Sequence, residues 1–178
     1  MRNLMASAAM ILGLASGVGI ARAESVTVPM AAVTPAGPGG SNGTVTIHDG
    51  PSGAVFHVDV HGLPPGQHGF HVHQNPSCAP ATGADGKVTP AGGAGGHLDP
   101  AKTGMHMGPM GSGHLGDLPF VTVSTDGTAK ADLTAPHIGA VKDLHGHSLM
   151  LHVGGDNYAD QPAPLGGGGP RMSCGIIP

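Results

Sequence analysis

The sequence predicts an all-β domain, an antiparallel barrel or sandwich of about eight short strands joined by long loops. Three observations lead there. Apolar residues alternate with polar ones through short segments along the whole chain, no stretch carries a convincing helical period, and the breakers are clustered. Glycine and proline, 33 and 17 of 178 residues, would suit disorder if evenly spread. Instead they crowd into residues 34–43, 80–96, 103–113 and 154–170, which the pattern marks as loops.

The elements follow in order. Met1, Arg2 and Asn3 start a stretch that is apolar and uncharged from Leu4 to Ile20 and ends in the small residues "ARA", which reads as a signal peptide over 1–23 cleaved before Glu24. An uncleaved membrane anchor is the competing reading. The mature domain then spans 24–178. Alternation predicts strands at 25–30, 44–49, 55–61, 69–74, 120–125, 128–133 and 147–153, with a short C-terminal "CGII". "TDGT" (125–128) is an Asp-Gly hairpin signal and "GLPPGQ" (62–67) another turn. Without Arg2 and Arg22 the mature chain has five basic residues against eleven acidic ones, a net charge of about −6, which makes nucleic acid a poor partner. The two cysteines, Cys78 and Cys174, form an even pair in an exported chain, and a disulfide is the simplest reading, two buried thiols being the other. Closing a loop of roughly 100 residues would stabilise the fold by up to about 4.7 kcal/mol on the chain-entropy argument.

The chemistry lies in the 13 histidines. In "HGFHVH" (68–73), Phe70 and Val72 point to one face and His71 and His73 to the other, so with the apolar pair in the core the imidazoles share the outer face, where long loops can cover them. Residues i and i+2 lie about 7 Å apart and can converge on one ion. "SLMLHV" behaves alike, with Leu149, Leu151 and Val153 toward the core and His152 opposite. His48, His57, His61, His137, His145 and His147 occupy outward or turn-like positions, and His68 suits a hydrogen-bonding structural role. The loop "GGHLDPAKTGMHMGPMGSGHLGDL" adds His97, His106, His114 and Asp117, a full tetrahedral set for zinc or else a solvated histidine-rich loop.

The blocks "GFHVH", "GGHLDP", "GHLGDLP", "LMLHVGGDNYAD" and "GGGGPRMSCGII" resemble copper/zinc superoxide dismutase of the bacterial exported kind, in its order and near its spacings, over essentially the whole mature chain. The resemblance implies an eight-stranded antiparallel Greek-key barrel, immunoglobulin-like, with long metal-binding and active-site loops. It implies copper on His71, His73, His97 and His152, and zinc on His97, His106, His114 and Asp117, one of each ion per chain, with His97 bridging. It makes Asp156, otherwise an ordinary loop aspartate, the carboxylate joining His71 to His106, and makes Arg171, otherwise a solvated residue, the cation that holds superoxide beside copper. The implied activity is dismutation of superoxide, with His97 as the proton-switching residue.

The resemblance also implies a periplasmic or extracellular protein with no lasting membrane association, and leaves monomer and homodimer open. Gln161 and Met105 stand where the family often carries lysine, so substrate attraction would fall to Arg171, the metals and Lys87 or Lys102. The rival reading is a non-catalytic copper or zinc buffer on the same fold, to which Met105, Met107 and Met110 would lend copper(I)-binding thioethers.

Overall fold

The computed structural model describes residues 24–178; the expected signal peptide over 1–23 lies outside them. Strands β1 (Ser25–Thr34), β2 (Gly37–Gly50), β3 (Gly53–Val60), β4 (Gly66–His68), β5 (Phe70–His73), β6 (Ala81–Thr82), β7 (Val88–Thr89), β8 (Val121–Val123), β9 (Ala129–Ala135), β10 (Ser148–His152) and β11 (Arg171–Ile176) follow in order. Seven of them form one antiparallel sheet in the order β5-β10-β11-β1-β2-β3-β9, while β4 pairs with β8. The chain leaves the first sheet for the second at β4 and again at β8, and returns to the first at the β4–β5 junction and through the β8–β9 turn, where Ser124 N donates to Thr128 O at 2.8 Å. Counting bent β4–β5 as one strand and leaving aside the loop ribbon β6–β7, eight strands curl round one core, as expected. Among the described residues the only helical pieces are three short 3-10 turns, and long loops supply the rest.

The alternation explains the core. Val28, Val45, Ile47, Phe56, Phe70 and Leu149 are wholly buried, and Phe56 meets Phe70 edge to face at 5.8 Å between ring centroids. Two expectations change. The glycine-rich stretch 34–43 is strand rather than loop: β1 and β2 run on to a turn at Pro35 and Ala36, with register shifts near Ala31 that absorb the irregular residues. Val153 is 51% exposed, because the chain leaves the sheet after His152 and the alternation ends one residue early.

Cys78 and Cys174 are disulfide-bonded. With Ala91, Ala94 and Met150 they make a small second cluster that pins the 78–95 loop against β10 and β11. His145 joins the segment before β1 to the C-terminal Pro178. His145 Nε2 lies 2.6 Å from Glu24 Oε1, its Nδ1 faces the Pro178 carbonyl, and both contacts raise its pKa above the ordinary 6.5. A folded-state pKa above the unfolded one means stability contributed fully below pH 6.5 and lost as pH climbs through the raised value. His145→Gln is therefore expected to lower the thermal midpoint of the metal-loaded protein at pH 6 but not at high pH; an equal drop at both would refute this linkage.

Candidate metal centre

β5 and β10 are neighbours, and their register sets Met150 opposite His71 and Ser148 opposite His73. The free edge of β5 is taken by the long loop: Leu98 N donates to Val72 O at 2.8 Å, and Val72 N to Gly116 O at 2.9 Å. Gly116 packs so closely on Val72 that a Cβ would lie 2.3 Å from its carbonyl oxygen, so only glycine fits. This pairing brings His97 beside His73 and Asp117 beside His71. The outer face of β5 is thus roofed by loop, and His71, His73, His97, His106 and His152 are all buried.

Two quartets result, each with ligand atoms within 4.8 Å of one another: His71, His73, His97 and His152, and His97, His106, His114 and Asp117. Every copper-set and zinc-set residue expected from the sequence is here. The ring nitrogens are sorted. His73 Nδ1 donates to Gly95 O at 3.0 Å and His152 Nδ1 to Gly169 O at 3.0 Å, leaving their Nε2 atoms 3.3 Å apart inside the first quartet. Asp156, in the loop after β10, takes His71 Nε2 on one oxygen at 2.7 Å and His106 Nε2 on the other at 2.8 Å. That leaves His71 Nδ1, His97 Nε2 and His106 Nδ1 buried without a hydrogen-bond partner. His106 Nδ1 approaches Asp117 Oδ1 to 2.9 Å, yet out of line for a hydrogen bond.

Three orphaned nitrogens in a protein interior would be costly for purely structural residues. They fit metal ions instead: an all-nitrogen set suits Cu(II), and three imidazoles with a carboxylate suit zinc. Electrostatics agrees. Burial holds His73, His97 and His152 down to about 2, 4 and 3, and depresses His71 too, so these rings are neutral with lone pairs available at neutral pH. Burial disfavours charge on His106 as well, but Asp117 and Asp156 outweigh it and lift the ring to about 9 in the absence of a cation. Despite their own burial, Asp117 and Asp156 are held well below the usual carboxylate range by the histidines around them.

The family model described as copper/zinc superoxide dismutase (SODC) matches residues 41–177. The chain belongs to the copper/zinc superoxide dismutase family. A superoxide dismutase [Cu-Zn] of Brucella abortus is 53% identical over 155 residues, covering 87% of this chain and 89% of the relative. The solved Cu/Zn superoxide dismutase from Brucella abortus superposes with a TM-score of 0.85 at 52% identity, over 87% of this chain and all of that one. The monomeric copper, zinc superoxide dismutase from Salmonella enterica gives 0.77 at 51%, over 86% and 99%. Like its family, the chain is an enzyme that uses copper and zinc to dismute superoxide into dioxygen and hydrogen peroxide.

Arg171, the first residue of β11, stands opposite His152, half-buried, with its guanidinium donating to Ala91 O and Gly95 O. Gly95 O therefore holds both Arg171 and the ligand-set residue His73. His68 is buried and fastens Pro64 O to His152 O and Val153 O, away from both quartets. His57 forms an exposed pair with Asp132, and His48, His61, His137, His145 and His147 also lie outside the dismutase centre. Lys87 is exposed beside Asp85, and Lys102 is exposed in the long loop.

Two supports lie within the blocks "LMLHVGGDNYAD" and "GGGGPRMSCGII", where residue type alone does not mark them. Asp160 accepts His106 N and Leu165 N, tying the loop after β10 to the zinc-set loop. Gly166, at φ +71, lies against the Asp156–His106 contact, and a Cβ there would fall 2.1 Å from Asp156 Oδ1 and 2.8 Å from His106 Nε2. Gly166→Ala is expected to pry that contact open and to weaken metal retention about tenfold or more, the range for losing an outer partner of a ligand. Unchanged zinc and copper retention against a chelator series would show that the contact does not matter.

Proposed function

We propose that the first quartet holds copper through His71 Nδ1 and the Nε2 atoms of His73, His97 and His152, and that the second holds zinc through His97, His106 and His114 Nδ1 and Asp117. The observation that carries this is the set of buried, unpaired nitrogens on His71, His97 and His106. The second ring nitrogens of His71, His73 and His152 donate to Asp156, Gly95 O and Gly169 O, so these three rings already hold the tautomers a copper ion needs, while His97 Nδ1 faces Asp117 within the zinc set.

In the net reaction two superoxide anions and two protons give one dioxygen and one hydrogen peroxide. Bound copper supplies the one-electron couple and zinc the second charge that polarises His97. Arg171 meets the anion with a positive charge fixed by two backbone carbonyls, so orientation costs little at the moment of reaction. His97 holds a proton at Nε2 between the half-reactions and yields it to the oxygen anion that leaves as hydrogen peroxide. Asp156 keeps His71 and His106 in their tautomers and couples the two sites mechanically.

Export to the periplasm and cleavage before Glu24 are part of the proposal, supported by the 1–23 sequence and the closed disulfide. We also take the mature chain as a monomer, by likeness to the Salmonella enterica relative; sedimentation as a dimer would refute that. The test of the site is metal content and dismutation of the mature, oxidised protein supplied with both metals. One copper and one zinc per chain with full activity is expected, and one of each with no dismutation would return the chain to the buffer reading.

A further inference from the structure

Seven large apolar side chains are exposed among the described residues, and three of them are methionines within six positions of the zinc-set loop: Met105 at 47%, Met107 at 42% and Met110 at 76%. Met30 and Met150, by contrast, are wholly in the interior. Exposure of three thioethers so close together is not explained by packing, and nothing in the dismutase centre uses them.

Their placement is built. His106 turns inward between them, so Met105 and Met107 share the outer side of the same segment. The chain reverses at Gly108–Gly111, where Gly111 N donates to Gly108 O at 3.2 Å, and Met110 sits in this turn. The return leg comes back alongside, with His114 N donating to Met105 O at 3.0 Å. That leg is Gly111, Ser112 and Gly113. A Cβ on Gly111 would lie 2.5 Å from Met107 Cβ, and one on Gly113 would lie 3.0 Å from Met107 Cβ and Cγ, so the leg lies flat against Met107 and has only the small Ser112 side chain to set against the sulfurs. Ser112 Oγ reaches Met107 Sδ at 3.9 Å. The backbone under the three is fastened from within: Met107 N donates to Asp117 Oδ2 and His106 N to Asp160 Oδ2. The thioethers thus project from a backbone that is already ordered, so only side-chain rotamer freedom remains to be lost when they gather on one ion.

We propose that Met105, Met107 and Met110 form a surface site for one Cu(I) ion, separate from the two quartets. Thioether sulfur is a soft, uncharged donor, which selects Cu(I) over Cu(II), zinc or calcium. It carries no proton in the accessible pH range, so this site keeps its ion where imidazole sites release theirs by protonation. The site lies on the outer side of the segment whose inner side presents His106, where it can capture reduced copper next to the buried centre. It uses none of the residues assigned to dismutation, so its failure and theirs are separable.

The test starts from the mature protein already loaded with copper and zinc, so that the histidine quartets are filled. Cu(I) is added anaerobically against bicinchoninate as competitor. One further Cu(I) per chain is expected, with uptake persisting at about pH 5, below the ordinary histidine range. The triple variant Met105→Leu, Met107→Leu, Met110→Leu keeps the side-chain volumes and is expected to bind that ion at least about tenfold more weakly. A second readout uses methyl-labelled methionine and Ag(I), a redox-inert stand-in for Cu(I). The methyl resonances of residues 105, 107 and 110 should shift while those of Met30 and Met150 stay put, and the latter two also report that the variant is folded. Absence of a further Cu(I), equal uptake by the folded triple variant, or unmoved methyls at 105, 107 and 110 would each overturn the site, the last being what a purely apolar docking patch would give.

Discussion

Replacing His97 by alanine is expected to disable both metal sites together and to lower dismutation by more than about a hundredfold. The loss of an outer hydrogen-bond partner of a metal ligand already costs roughly ten- to a hundredfold, and His97 is a direct donor shared by both sets. It is the one residue common to the copper and zinc quartets, with an unpaired Nε2 on one side and Nδ1 3.0 Å from Asp117 Oδ1 on the other. Its removal leaves three protein donors on each side. The specific signature is a comparison. His73→Ala should lose copper and keep zinc, and His114→Ala should lose zinc and keep copper, because each belongs to one quartet only. Metal analysis after dialysis, with the spectrum of bound Cu(II), checks all three. A His97→Ala protein that retains both metals and its activity would end the bridging assignment.

What the sequence made legible, and what it hid, divides along a physical line. Period-2 alternation placed Phe70 and Val72 inside and His71 and His73 on the opposite face, because strand geometry leaves no other choice. The histidine and aspartate side chains themselves announced metal chemistry, since few other roles need that donor set. The backbone acceptors were invisible: Gly95 O, Ala91 O and Gly169 O fix two ligand tautomers and the arginine, yet a carbonyl is carried by every residue. Which nitrogen of each ring is free is likewise a property of the fold. The 34–43 segment misled because glycine and proline mark turns on average, while here positive-φ Gly37 and Gly43 are carried within a strand by the irregular β1–β2 pairing.

Arg171→Ala is expected to keep both metals while lowering the rate constant for superoxide on the order of tenfold, and to flatten its dependence on ionic strength. Residues 24–178 carry about −6, which repels an anion at long range. Its other basic groups offer limited help: Lys130 pairs with Asp59 at 2.8 Å and Lys87 with Asp85 at 3.3 Å. Beside the metals, the one cation set against the copper quartet is the Arg171 guanidinium, which burial strips of some of its water and which two carbonyls hold in place, while Lys102 in the long loop and Lys142 in a short 3-10 turn are exposed. Arg171→Lys should fall between, since a lysine restores the charge but cannot bridge Ala91 O and Gly95 O with a planar fork. The disulfide enters the same argument, because the loop it anchors supplies both carbonyls. Cys78→Ser with Cys174→Ser should reproduce part of the kinetic loss and cost up to about 4.7 kcal/mol of stability. Rates measured by pulse radiolysis across a salt series decide the matter. An alanine variant with unaltered rate and unaltered salt dependence would mean that the metals alone draw the substrate in.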